Sequence, residues 1–360
     1  MPYTSPTCGH KINLDNLHFT PDELRSLNEL VVTAVLEAQA LNAFHTLVTG
    51  IKNDKRIGII PGTFGLILKA AQACDPEPQC HEDIADEKTW EPKYLEFIND
   101  MCIDEITNSL MRMYIDCTNP YDLTQTDIFK FILSIYAKDL PKEVFRHAWF
   151  GDTAAAQFPL GVLTPGIDPA FFNVINGFWQ QMAVIYAANP LQLNAMPGNT
   201  QLTYALQQTV ATPLLTYNAV NTLIDNAISE LTQQPDRILL VTRSVFDRLR
   251  RQLQALGTAF QDYKLMINGL EFATWDGIKI VSVPLWDQLI RAYENDGTRW
   301  NDPHRVVYTT VSNLNIGMAC TSLFENINTF YDPRSRYNRI EASDAFDAKI
   351  IDDRLLMVGR

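Results

Sequence analysis

Cys74, Cys80 and His81 are the nearest approach to a metal-ligand set in this chain, because thiolate and imidazole are the donors zinc prefers. Five residues separate the two cysteines and no second ligand pair accompanies them. The remaining cysteines, Cys8, Cys102, Cys117 and Cys320, complete neither a zinc ribbon nor the framework of a disulfide-dense secreted module, so reduced thiols are the expectation. General acid–base work would need paired carboxylates, and Asp344, Asp347, Asp352 and Asp353 lie close together. They fall in a segment that reads as strand and turn, where hairpin and surface positions are the expectation. His10, His18, His45, His81, His147 and His304 are too scattered to nominate a base, and His147, within an apolar helical pattern, reads as a core or interface residue. Trp275, Trp286 and Trp300 sit beside turns and helix starts, which suits packing and interface anchors better than a ligand groove.

The phosphate-cradling, nucleophile-elbow and zinc-protease motifs are all missing from the sequence. Active sites also assemble from residues far apart in sequence. The expectation is a protein that is not an enzyme, with no catalytic residue, no cofactor and no metal.

Between Ile238 and Val283 the elements that could position side chains are most legible. Ile238–Val241 is a short apolar run; Ser244 reads as an N-cap; Leu249, Leu253 and Leu256 form a buried stripe; and Gly257 ends the helix. Asn268-Gly269 and Asp276-Gly277, both flanked by apolar residues, supply the positive φ angles that two-residue hairpins need. Upstream, Thr20-Pro21-Asp22-Glu23 starts a helix whose apolar positions Leu24, Leu27, Val31, Ala34, Ala38 and Leu41 recur at helical spacing, with Gly50 closing the run. Such a helix extends about 40 Å and wants a partner. Residues 51–100 read as two extended segments joined by a polar tip, the second running from Thr89 to Ile98. Asp104–Tyr114 reads as helix. The most hydrophobic helical signal runs from Ile128 to Trp149, with Pro141 inside it predicting a kink or a junction of two helices. Further helices are expected over Tyr217–Leu231, Ser244–Leu256 and Leu285–Asn295, and strands over Arg305–Thr310, Leu314–Cys320 and Ile350–Val358. This order is α+β, without the regular alternation of a doubly wound sheet.

The 360 residues are 46% hydrophobic and 20% charged, the balance of a folded chain of one large or two moderate domains. A formal net charge of −13 argues against sequence-specific DNA binding, which relies on clustered cations. Glu82, Asp83, Asp86 and Glu87 form an acidic run, and Arg243, Arg248, Arg250 and Arg251 crowd one helix; solvated faces or subunit contacts account for both. With no apolar stretch of eighteen residues and no signal-peptide order at the N-terminus, the chain is expected to be soluble, cytoplasmic at synthesis and without a membrane partner.

The order of elements resembles the Hong Kong 97-like fold of tailed-bacteriophage major capsid proteins. The resemblance is carried by the helix ending Ala148-Trp149-Phe150-Gly151-Asp152, the Arg243–Leu249 helix start, and the Trp275–Val281 hairpin strand before Pro284. Arg305–Thr310, Asn313–Met318 and the final Ile350–Val358 strand complete it. It implies an N-terminal arm over residues 1–50, an extended two-stranded loop over 51–100, a peripheral domain with spine helix over 101–168 and 305–360, and an axial domain over 169–304. It further implies a structural protein that self-assembles into pentamers and hexamers of an icosahedral head enclosing double-stranded DNA. Such a head is assembled in the bacterial host cytoplasm and located in the virion, with scaffold, portal and decoration proteins as further partners. Arm and loop would lie across neighbouring copies, and Leu24, Leu27, Val31, Phe64, Trp90, Trp149 and Trp286 are the assembly-interface candidates. Cys74 and Cys80 become candidates for intersubunit disulfides. An encapsulin-like compartment shell and a soluble α+β enzyme with a dispersed site stay open as alternatives.

Overall fold

A computed structural model describes residues 44–52, 55–59, 86–102, 122, 124, 127–257, 261–267, 270–319 and 327–360. The expected helices from Thr20 and over Asp104–Tyr114, the Asn268-Gly269 turn, Cys74, Cys80, Leu24, Leu27, Val31 and Phe64 lie outside these residues.

Phe44 is buried, and the chain then enters strand β1 (Thr46–Thr49), β2 (Arg56–Ile59), β3 (Asp86–Thr89) and β4 (Lys93–Cys102). Helix α1 (Asp127–Phe150) leads to α2 (Phe178–Ala188), the short strand β5 (Leu193–Asn194), α3 (Tyr204–Val210), α4 (Pro213–Asp225) and α5 (Ser229–Thr232). Then follow β6 (Arg237–Val241), α6 (Arg243–Ala255), β7 (Gln261–Ile267), β8 (Leu270–Trp275), β9 (Ile278–Ser282) and α7 (Pro284–Tyr293). Strands β10 (Val306–Thr310), β11 (Leu314–Met318), β12 (Ile327–Asp332), β13 (Tyr337–Ile350) and β14 (Leu356–Gly359) close the chain.

Two sheets organise these elements. The first is seven-stranded, in the order β5-β14-β10-β6-β9-β8-β7. Its central strand β6 is apolar on both faces because both are covered: Ile238 and Leu240 point into one buried cluster, Leu239 and Val241 into another. Burying each such side chain stabilises the fold by about 1.5–3 kcal/mol. Asp276 and Gly277 close the β8–β9 hairpin at φ +50° and +72°, as the Asp-Gly pair predicts, and Gly257 ends α6 at φ +64°. The second sheet is built on the long strand β13. Strand β4 runs antiparallel along Tyr337–Phe346, while β12 and then β11 share the opposite edge, with β1 parallel to β11 outside them. Helix α1 packs on this sheet, where Asn99 donates to the Tyr136 hydroxyl at 2.7 Å.

Several expectations are corrected. The segment before Gly50 is strand and not the end of a helix: Thr46, Val48 and Thr49 are β-branched and pair with β11, a partner 269 positions downstream of Thr46 at Asn315. Of the kink or junction expected at Pro141, the junction is ruled out, since helix α1 is continuous through it. Tyr217–Leu231 is two helices, and the first begins earlier, at Pro213 behind its cap Thr212. Helix α6 is entered from Thr242, so Ser244 is in its first turn and is not its N-cap. The extended run Thr89–Ile98 breaks at Trp90, which divides β3 from β4. Ile350–Val358 is the end of β13, a turn and β14. Asn313 holds that turn, accepting from the Asp352 N–H at 2.7 Å and donating to the Asp352 and Leu355 carbonyls. Strands β10 and β14 belong to the seven-stranded sheet, so residue 305 does not divide the two sheets.

Candidate assembly site

Strands β2 and β3 form a two-stranded ribbon that pairs with no other strand among the described residues. An exposed Arg56–Glu87 ion pair at 2.9 Å crosses it and adds at most about 1 kcal/mol. The structure is concentrated at the ribbon's base. Ile51 N–H donates to the Met318 carbonyl at 3.1 Å, and Trp90 N–H closes the ribbon onto the Lys55 carbonyl at 3.1 Å. Trp90 and Ile51 pack over Gly317 of β11, where a Cβ would come within 2.7 Å of the Trp90 ring and 2.8 Å of Ile51. One residue on, the Glu91 N–H donates to the Asp347 carboxylate at 2.8 Å. Lys88 reaches the Ile350 carbonyl at 2.7 Å and pairs with Asp353.

Asp347 is therefore a clamp and not a surface residue. It and Asp344 are buried, against expectation. Burial pushes the Asp347 carboxyl pKa up, and Lys349 and the Glu91 and Ala348 amides oppose that rise. Asp344 accepts from the Ala345 N–H at 2.7 Å, and three residues along a strand put the two carboxylates on opposite faces. They do not converge as an acid–base pair. Asp352 pairs with Arg354 instead. A cleft of about 440 Å³ opens beside the clamp between the ribbon base, α2 and β13, and Lys88, Glu91, Gln181, Val184, Asp347 and Lys349 line it.

The tryptophans are placed differently from expectation. Trp149 and Trp286 are fully buried by their own chain, with ring centroids 4.6 Å apart, and Trp179 and Phe178 complete the cluster. Neither has surface to offer another copy, because α1, α2 and α7 meet on these rings. Trp90, 2% exposed, acts through the ribbon base. Trp300 packs on Tyr204 and Trp275 on Tyr217.

Among the described histidines, His45 accepts from the Trp149 indole at 2.8 Å. Burial, with Arg146 adjacent, lowers the His147 pKa to about 3. The imidazole of His304 lies between the Gln207 carbonyl, 2.9 Å from Nε2, and the Ser244 hydroxyl, 2.7 Å from Nδ1. A carbonyl only accepts, so Nε2 carries the proton and Nδ1 accepts from Ser244. Burial lowers this pKa to about 4. Among the described residues no carboxylate bonds to the imidazole, and the unit ties α3 to α6; nothing in the sequence links residues 60 positions apart. The same holds for Arg305, buried between Phe150 and Trp179 and paired with Glu294. Among the described residues no group of three or more His, Cys, Asp or Glu is placed to hold a metal, and no helix is long and apolar enough to cross a membrane.

No protein-family model matches the chain, and no curated protein does. Solved structures do. The capsid asymmetric unit of cyanophage A-1(L) superposes with a TM-score of 0.51 at 13% identity, covering 94% of this chain and 98% of that one. The holo-SrpI encapsulin complex of Synechococcus elongatus gives 0.48 at 10% identity, covering 95% of each chain. The satellite phage P4 procapsid gives 0.45 at 16% identity, covering 90% and 96%. The chain has the α+β, Hong Kong 97-like fold, the fold of a phage capsid subunit.

Proposed function

We propose that this chain is a structural capsid subunit, many copies of which form pentamers and hexamers that close an icosahedral head around double-stranded DNA. The supporting observation is the superposition on the cyanophage A-1(L) capsid subunit over nearly the full length of both chains. In this reading α1 with the five-stranded sheet is the peripheral domain, the seven-stranded sheet and its helices are the axial domain, and the ribbon is the root of an extended loop that lies across a neighbouring copy. A ribbon that pairs with no other strand among the described residues buries little of itself to offset its ordering entropy, and contact with a neighbour supplies the difference. The net charge of −13 suits a container, which must not adhere to the polyanion inside it. DNA is thus a partner by enclosure, and scaffold, portal and decoration proteins are the other partners of such a head. The chain carries no catalytic role in this reading, is assembled in the host cytoplasm and resides in the virion.

Sedimentation and negative-stain microscopy of the purified protein test the proposal. Hollow particles, or rings of five or six subunits, are expected. A stable monomer at high concentration across several salt conditions overturns it. Double-stranded DNA protected from nuclease inside particles from the native source is expected, and enzyme cargo in its place would favour a compartment shell.

A further inference from the structure

From Pro169 to Ile224 the sequence holds not one Asp, Glu, Lys, Arg or His, although a fifth of the whole chain is charged. The structure shows that this stretch is not simply interior. It contributes α2, β5, α3 and α4, and six of its leucines stand in solvent: Leu191 is 79% and Leu202 71% exposed, and Leu193, Leu206, Leu214 and Leu215 are between 39% and 53% exposed. These leucines sit on neighbouring elements. Strand β5 follows directly on the turn that holds Leu191, α4 packs on β5 through the bond from the Asn194 side chain to the Ala219 carbonyl, and only Ala211 and Thr212 separate α3 from α4. The helix starts are uncharged too, and α4 meets its first charge only at its last residue, Asp225. Thr203 and Thr212 cap α3 and α4, with no acidic residue in either first turn and no basic residue in either last turn, so the usual complement to the helix dipole is forgone. Cations beside this stretch are tied into their own chain: Arg248 to Gln208, Arg360 to Asp302, and Arg299, next to the Thr298 carbonyl that receives the Tyr204 N–H, to Asp296.

We infer that this charge-free leucine face, centred on α3 and the start of α4, is where one copy of the chain packs against the next; the inference rests on the shell reading. A surface studded with leucine and edged with Asn, Gln and Thr has the chemistry of an interface core, from which charged residues are depleted. The occupant follows from electrostatics. Copies of a chain with net charge −13 repel one another, and they approach at least cost where the facing surface carries no charge. A contact made once in assembly and kept also favours an apolar face over the polar surface of a transient complex.

The test compares the full-length protein with the double variant Leu202→Lys, Leu214→Lys, and with Leu256→Lys, an exposed leucine at the end of α6, as control. Lysine makes the net charge less negative, so lost assembly in the double variant cannot come from added repulsion between copies. The expected result is an unchanged circular dichroism spectrum with at least a tenfold lower yield of particles for the double variant, and a parental yield for the control. Hydrogen exchange on the parent protein is the second measurement and does not depend on the variant folding. Amides of 191–217 are expected to exchange more slowly in particles than in dissociated subunits. Parental yield from the double variant overturns the inference, and so does equal exchange in the two states. If the parent forms neither rings nor particles, the shell reading fails first.

Discussion

The ring of Trp90 occupies the space that a side chain at Gly317 would need. A Cβ there would lie 2.7 Å from Trp90 and 2.8 Å from Ile51, so a glycine on β11 is what lets both ends of the ribbon settle onto the sheet. Gly317→Val is expected to cost about 1–3 kcal/mol through overpacking. The loss should be local at first, with hydrogen exchange at the Ile51 and Trp90 amides accelerating before the rest of the fold responds. Unchanged exchange at those two amides would mean that the contact does not hold the ribbon.

Arg305 is 1% exposed, lies 4.9 Å from the Trp179 ring centroid and bonds to the Glu294 carboxylate and the Asn301 carbonyl. Removing one partner leaves a buried charge uncompensated, and Glu294→Gln is expected to destabilise the protein by about 3–5 kcal/mol in denaturant titration. Replacing both members by apolar residues of similar volume should cost less than that single change. A Glu294→Gln loss below about 1 kcal/mol would place the guanidinium's support in the two aromatic rings.

The parts of this architecture that were legible in the sequence are those set by local chemistry. Asp276-Gly277 needs positive φ at both positions and has it, and the apolar run of α1 predicts its helix to within a residue. What escaped depends on distant partners. Thr46–Val48 continues a helical apolar pattern, yet β11 is beside it and makes it strand. Strand β13 carries Arg339, Glu341, Asp344, Asp347 and Lys349, a composition that reads as surface, yet Asp344 and Asp347 are buried, the latter by the ribbon base that lands on it from residues far upstream. Trp149 and Trp286 were legible as anchors, but only the meeting of α1, α2 and α7 reveals that they anchor their own chain. A truncation of residues 1–50 would therefore remove Phe44 and β1 from the core, and an arm deletion should end before Phe44.

His304 and His147 give stability a pH dependence of definite sign. Both are held below the ordinary value of about 6.5, at about 4 and about 3, by burial. Between those values and 6.5 the unfolded chain takes up protons that the folded chain refuses, so stability is fully present above about pH 6.5 and falls as pH is lowered toward 4. The loss is on the order of a few kcal/mol for each histidine. His304→Gln should flatten part of this slope in melting temperatures taken from pH 7 to pH 4.5. An identical slope in the variant would exclude His304 as a source.

Excising the ribbon separates folding from assembly. Lys55 and Trp90 are hydrogen-bonded across its base at 3.1 Å, so residues 56–89 can be replaced by a short glycine turn without moving either end. Trp90 keeps its place over Gly317 and Glu91 keeps Asp347, while the body gives up the bonding of Lys88 to Ile350 and Asp353. A partly exposed ion pair and one hydrogen bond of that kind contribute about 1 kcal/mol each. The shortened protein is expected to keep the parental circular dichroism spectrum and to melt close to the parent, because neither sheet loses a strand. Particle formation should nevertheless be abolished, since the segment removed is the one proposed to reach a neighbouring copy. Normal particles from this variant would show that the ribbon is not an assembly contact and would leave the remaining surfaces to carry the shell alone.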